Sequence, residues 1–176
     1  MEIQVRVSRL DGQVPATDRE VFARWATEIF AGTPAAKQFT WVDHWAYQVA
    51  VYADSSPVSH LRIVDRTVLI DAQPVRVGGV ADVMTPAEFR GQGFAGRAMK
   101  EAAHVIFELM QARLGLLLCA PPLVRFYACY GWQMVDCPVS MAQPGGSVTW
   151  PQCTMLLVRP GETWAPRSVD LCGLPW

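Results

Sequence analysis

The sequence lacks the marks of a disulfide scaffold, a zinc protein, a membrane protein or a nucleic-acid binder. Its five cysteines, Cys119, Cys129, Cys137, Cys153 and Cys172, are odd in number, and no two are spaced Cys-x-x-Cys. They read as small buried hydrophobes in a reducing compartment. The three histidines, His44, His60 and His104, have no metal-ligand spacing, so no metal is expected. Charge is sparse: 18% of residues are ionic, 15 basic against 16 acidic. A net charge of −1 offers no basic face to a phosphate backbone, and any attraction for a cation must be local. Long apolar runs are missing too. The longest, Leu114 to Val124, is interrupted by Pro121-Pro122 and is too short to span a bilayer. The alternating start, Ile3-Gln4-Val5-Arg6-Val7, suits a strand better than a signal peptide, so a cytoplasmic location is expected, with no membrane partner.

What is present is a core. Hydrophobic residues make up 51% of 176 residues, without repeats or low-complexity tracts, and one domain over 1–176 is expected. The patterning predicts a strand over 3–9 and a helix over 17–31, N-capped at Thr17 or Asp18 and stopped at Gly32. A short helix is expected over 40–47, then strands over 48–53, 57–66, 67–72 and 75–84. A longer helix over 93–111 carries Ala98, Ala102, Val105, Ile106 and Leu109 on its apolar face. A buried strand over 116–119 follows, and Pro121-Pro122 opens a helix to about 130. Late strands are expected over 132–139 and 154–158, separated by a loop at 143–147. The tail, 160–176, is irregular but holds Trp164 and Trp176, too aromatic to float in water. This alternation implies an α/β or α+β layer fold with a largely antiparallel sheet.

The chemistry concentrates at Arg90-Gly91-Gln92-Gly93-Phe94-Ala95, between a strand and an amphipathic helix. A helix start presents unpaired N–H groups and the positive end of the macrodipole. Glycines let backbone approach an anion closely, and Arg90 adds a fixed cation. The spacing Gly91-x-Gly93-x-x-Gly96 also fits a dinucleotide turn, but that turn leaves its strand directly, whereas Thr85 to Phe89 intervene here. The strand that follows ends at Cys119 with no acid for a ribose. A glycine-rich cap that binds nothing remains open on these residues alone.

Two motifs carry a resemblance. Val83-Met84-Thr85 through Arg90, Gly93 and Ala95 is one; Phe126-Tyr127-Ala128-Cys129-Tyr130-Gly131-Trp132 is the other. Together the chain resembles the GCN5-related N-acetyltransferase (GNAT) family over about residues 3–158. The resemblance implies a mixed, mostly antiparallel sheet splayed between its fourth and fifth strands, with helices on both faces. It implies acetyl-CoA as cosubstrate and a small-molecule amine as acceptor, with direct transfer between them. Val83, Met84 and Thr85 would hold the pantetheine arm by backbone groups, and Arg90, Gly91, Gln92, Gly93, Phe94 and Ala95 the pyrophosphate. Tyr127 would protonate the leaving thiolate. Asp82 stands conspicuously among apolar neighbours and is the candidate general base. Cys119 has no histidine neighbour in sequence and is not needed as a nucleophile.

Within that family the chain is most similar to the aminoglycoside 2'-N-acetyltransferases, antibiotic-resistance enzymes, through Phe30-Ala31-Gly32, Phe39-Thr40, Tyr127-Ala128, Gly131-Trp132 and a C-terminal tryptophan, Trp176. A fainter likeness extends to the nodulation N-acyltransferases. The resemblance implies that the Trp176 carboxylate binds acceptor, and Asp43, Asp82 and Asp170 are the further carboxylates the chain can offer a cationic sugar. The chain departs from those enzymes at Thr33, Leu118 and Trp150-Pro151-Gln152-Cys153. Trp41, Trp45, Trp150 and Trp164 suit instead a flatter, less charged amine. A coenzyme A-binding module without catalysis, and a homodimer, also stay open.

Overall fold

The computed structural model describes residues 2–10 and 16–176. Ten strands among the described residues form one sheet in the order β6-β9-β5-β4-β3-β10-β7-β8, with β1 and β2 branching from β3. In chain order these are β1 (Ile3–Arg9), β2 (Tyr47–Ala53), β3 (Ser56–Ile70), β4 (Gln73–Met84), β5 (Leu114–Cys119), β6 (Gln133–Val135), β7 (Val139–Gln143), β8 (Gly146–Thr149), β9 (Cys153–Leu157) and β10 (Val169–Asp170). Among the described residues only β4–β5 and β10–β7 pair in parallel. The sheet is therefore mixed and mostly antiparallel, as the fold class required. Among the described residues four α-helices accompany it: α1 (Ala16–Phe30), α2 (Pro34–Gln38), α3 (Phe94–His104) and α4 (Val124–Ala128). None of the described helices is long and apolar enough to cross a membrane.

Alternation along the strands divides the core. Val49, Val51, Leu61, Ile63, Val80 and Leu117 pack with α3 and with Tyr127 of α4. On the other face, Ala50, Tyr52 and Met84 meet Phe22 and Trp25 of α1. Farther along that face, Val64, Val68, Leu114 and Leu116 meet Val42, Trp150 and Trp176. Helices thus cover both faces, and the tail continues the second layer.

Several elements depart from the sequence expectation for identifiable reasons. Helix 40–47 does not form. Thr33 caps α2 instead, accepting from the Ala36 amide at 3.3 Å, with Pro34 at the first turn. Residues 39–46 are pulled onto the second layer by Phe39, Trp41 and Trp45. Strands 57–66 and 67–72 are one strand, because Asp65-Arg66-Thr67 contains no turn residue and β4 pairs along it from His60 to Ile70. Helix α1 starts at Ala16, which puts Asp18 in its first turn rather than at the cap, accepting from the Tyr52 hydroxyl at 2.5 Å. Beyond His104 the helix widens into a π turn, Val105–Leu109, closed by Met110 N–H on Val105 C=O. That extra residue turns Leu109 out, half exposed, and Met110 in. Strand 132–139 splits before Pro138 into β6 and β7, and the expected loop at 143–147 is the β7–β8 hairpin turn.

The tail does more than cover an edge. Strand β10 pairs antiparallel with β3 and parallel with β7, so it joins two parts of the sheet. Arg66 donates to the carbonyls of Leu174 at 2.6 Å and Leu171 at 3.4 Å, and lies 5.0 Å over the Trp176 ring.

Candidate active site

Strands β4 and β5 stay paired only from Val77–Leu114 to Val80–Leu117. Past that point Ala81–Met84 and Leu118–Cys119 diverge. A bulge explains the place. Arg62 faces Ala81 and His60 faces Met84, so Leu61 stands opposite two residues, Asp82 and Val83. Asp82 takes φ +49 to make this possible, a region its short polar side chain tolerates better than most. The extra residue bends β4 away from β5 and re-aims the Asp82 side chain. Ser59 ties the end of β4 to β3 through the Met84 carbonyl (3.1 Å) and the Thr85 hydroxyl (2.9 Å). The opposite backbone edge of Val83, Met84 and Thr85 faces the splay.

Below the splay the chain turns through a 3-10 segment, Ala87–Phe89, into the glycine loop. Arg90 Nε donates to the Thr85 carbonyl at 3.0 Å, and Gln92 Nε2 to the Glu88 carbonyl at 3.1 Å, fixing the loop. Gly91 and Gly93 have φ of +74° and +80°, and a Cβ on either would meet nothing within 4 Å. Glycine is needed there for backbone conformation and for an unobstructed approach. Gly93 is the N-cap of α3 and supplies no side-chain cap, while the Phe94 ring is buried in the core. The first-turn amides thus face out beside exposed Arg90, Arg97 and Lys100, an anion-binding arrangement.

Tyr127 lies in the same core cluster as Cys119, the last residue of β5, on the α3 side of the splay. Its ring is buried, yet its hydroxyl makes no hydrogen bond among the described residues. Burial chiefly, and Cys119 next, push the phenol above its ordinary value, so it keeps its proton at neutral pH. The Cys119 thiol is pushed up to about 12, first by burial and then by Cys153, its partner across β9. A thiol so held is a poor nucleophile.

On the other side of the splay, Asp82 lies 3.3 Å from Arg62 Nη1. Burial raises the Asp82 carboxyl and Arg62 opposes the rise, with burial the larger effect. Phe39, Trp41 and Trp150 form an edge-packed trio with centroids 5.6–6.4 Å apart. The segment carrying Phe39 and Trp41 is anchored at Thr40, which Gln143 brackets through its amide N–H and C=O, and at Val42, whose amide donates to the Pro175 carbonyl. Asp43 does not join Asp82. Its carboxylate is fully exposed and sits 3.5 Å from His44. Trp176 is buried, packed on Gly79 of β4.

His60 and Arg62 escaped the sequence reading. The available signal was two polar residues at period 2 in a strand otherwise buried. His60 is fully buried, stacks on Phe22 at 4.1 Å, and makes no well-aligned ring hydrogen bond, although the Asp82 backbone lies close enough to favour its charged form slightly. Burial first, then Arg62, lower it from the ordinary 6.5 to about 3. The folded ring therefore stays neutral while the unfolded one takes a proton below about pH 6.5. Stability linked to His60 is complete above that pH and is lost as pH falls toward about 3, by about 1.4 kcal/mol per unit. Replacing the buried ring with an apolar side chain removes both penalties. His60→Leu is expected to gain about 1–2 kcal/mol at pH 7 and to flatten the loss between pH 6.5 and 4. Urea unfolding at several pH values measures both, and parallel pH slopes for the two proteins would contradict the assignment.

A splayed sheet with a glycine cradle under the opening defines an acyl-transfer class of fold. The family model for the acetyltransferase (GNAT) domain matches residues 15–135, more than half of the chain. The chain belongs to that family and is an acyltransferase. Solved structures share the fold at low identity. Escherichia coli ElaA aligns with a TM-score of 0.63 at 10% identity, covering 89% of this chain and 99% of that one. An acyl-CoA N-acyltransferase from Pseudomonas aeruginosa gives 0.61 at 14%, covering 89% and 100%. The E. coli N-acetyltransferase YhbS, solved in complex with CoA, gives 0.60 at 15%, covering 96% and 89%.

Proposed function

We propose that residues 1–176 act as one domain that transfers acetyl from acetyl-CoA directly to a primary amine. The observation that carries this reading is the coincidence of the Asp82 bulge, the loss of β4–β5 pairing after Val80, and the uncapped start of α3. Acetyl-CoA supplies an activated acetyl thioester. Val83, Met84 and Thr85 offer backbone groups to an extended arm as an added strand would. The amides at Gly91 to Ala95, with Arg90, take the pyrophosphate charge. The open space at both glycine positions fits such a group. Asp82 accepts the proton of the incoming ammonium, directly or through water, and Tyr127 donates to the departing sulfur.

The acceptor reading favoured here is an amine with a flat, weakly charged body. It is supported by the Phe39–Trp41–Trp150 trio of the second layer and, separately, by an Asp82 carboxylate already matched by Arg62, which lies over Trp45. An aminoglycoside acceptor would ask for several free carboxylates. Asp43 is turned to solvent, and Asp170 accepts from the Cys172 amide. The Trp176 carboxylate is the remaining anion for that alternative.

Calorimetry with acetyl-CoA tests the cradle. Arg90→Glu is expected to weaken binding by roughly tenfold or more, because attraction for phosphate becomes repulsion at a helix start. Equal affinities for the two proteins would remove the cradle. Thiol release over arylalkylamines and 2'-amino aminoglycosides tests the acceptor. Turnover confined to the aminoglycosides would overturn the flat-amine reading, and binding without turnover of any amine would favour a coenzyme A-binding module.

A further inference from the structure

The Asp82 bulge raises a physical problem that one neighbour answers. A carboxylate largely removed from water tends to keep its proton, and a protonated carboxyl cannot serve as a base. We infer that Arg62 is a positioning residue for the reaction, aiming and charge-stabilising the Asp82 carboxylate at the mouth of the splay, and that Trp45 in turn holds Arg62. This inference rests on the reading of Asp82 as the general base.

The geometry is specific. Arg62 Nη1 reaches Asp82 Oδ2 at 3.3 Å, and both side chains are only about a quarter exposed, 27% and 24%. The guanidinium lies 5.2 Å over the Trp45 ring. Its Nε is buried and has no hydrogen-bond partner, so stacking, rather than a second anion, fixes its course. The other charges around this face are engaged elsewhere. His60, two residues back on β3, is buried and neutral. Helix α1 brings Phe22 and Trp25 to the sheet, and its Asp18 is taken by the Tyr52 hydroxyl. From the segment 39–46, Asp43 and His44 face solvent. From the tail, Asp170 holds the Cys172 amide, and the C-terminal residue, Trp176, packs on Gly79. Arg62 is the charged group that acts on Asp82, and it opposes the effect of burial.

Trp45 is held close to the strand that carries Arg62, because the amide of the next residue, Ala46, donates to the Ile63 carbonyl of β3 at 2.8 Å.

Carbon-13 NMR of aspartate-labelled full-length protein tests this. The Asp82 carboxyl is assigned as the resonance missing from Asp82→Asn. Arg62→Gln is expected to raise its titration midpoint by about one pH unit, Arg62→Lys to leave it near the wild-type value, and Trp45→Leu to raise it by less. The low-pH limb of kcat/KM should move with the midpoint. The Arg62→Gln loss should be roughly tenfold well below it and should narrow as pH rises. A purely structural Arg62 would lower stability without moving the midpoint. An unchanged midpoint in folded Arg62→Gln, with Asp82→Asn inactive, overturns the inference and leaves the base reading standing. Wild-type turnover in Asp82→Asn instead removes the base reading, and Arg62's role with it.

Discussion

Tyr127→Phe is expected to lower turnover by roughly ten- to several-hundred-fold while leaving acetyl-CoA affinity and folding stability nearly unchanged. The three readouts separate because the hydroxyl and the ring do different work. The ring is buried among Phe94, Ala98, Cys119 and Trp132, and phenylalanine keeps that packing. The hydroxyl makes no hydrogen bond among the described residues, so removing it breaks no internal contact. The hydroxyl keeps contact with solvent, so its loss should leave stability nearly unchanged. Burial also holds the phenol in its protonated form, as a donor to a leaving thiolate must be. Stopped-flow thiol release, calorimetry with acetyl-CoA and thermal unfolding measure the three quantities. Unchanged turnover would assign Tyr127 to packing, or place the slow step outside the chemistry. A large loss of stability would mean that the hydroxyl has a structural partner.

Part of this site is legible in the sequence because it consists of local backbone chemistry. Gly91, Gly93 and the helix after them sit within one short segment, and positive φ at both glycines follows from the residue type. Tyr127 is also local, carried by a helix that Pro121-Pro122 starts and Gly131, at φ +84, ends. The splay is legible only through the family resemblance, because its cause is register. One extra residue at Asp82 against β3 bends the strand, and no pattern within β4 announces it. The contacts of Arg62 with Asp82 and Trp45 join residues about 20 positions apart in the chain and depend on which face each strand turns inward. The same holds for Gln143, which anchors Thr40 across 103 positions. The expected helix over 40–47 failed for a related reason. Its aromatic residues satisfy a helical spacing, but contact with Trp150 and the tail outweighed the propensity.

The tail's course rests on a position with no side chain, and Gly79→Ala should expose this. A Cβ at Gly79 would lie 2.2 Å from Cε2, 2.4 Å from Nε1 and 2.7 Å from Cζ2 of Trp176. Real Cβ contacts do not come so close, so the ring or the strand must move. The strand is confined, because Gly78 next to it is pressed from the opposite face by Ile106, whose Cγ1 would lie 2.5 Å from a Cβ there. The ring is confined by Arg66, whose guanidinium lies over it and donates to the Leu174 carbonyl. Overpacking of this kind costs about 1–3 kcal/mol, and partial exposure of the indole adds a similar amount. Gly79→Ala should therefore destabilise the protein by about 3 kcal/mol. Gly145→Ala, where a Cβ meets nothing within 4 Å, should be nearly neutral. A double-mutant cycle isolates the cause. Trp176→Ala alone should cost about 3 kcal/mol through the cavity it leaves. In that background Gly79→Ala should cost less than about 1 kcal/mol, because its methyl group enters vacated space. If the tail also shapes the acceptor site, Gly79→Ala should raise the Michaelis constant for the amine while acetyl-CoA affinity holds. The indole would be displaced from β4 three residues before Asp82, whereas the cradle at Arg90 to Ala95 is untouched. Additive costs in the cycle would sever Gly79 from Trp176. Coupled costs with an unchanged Michaelis constant would confine the tail to stability.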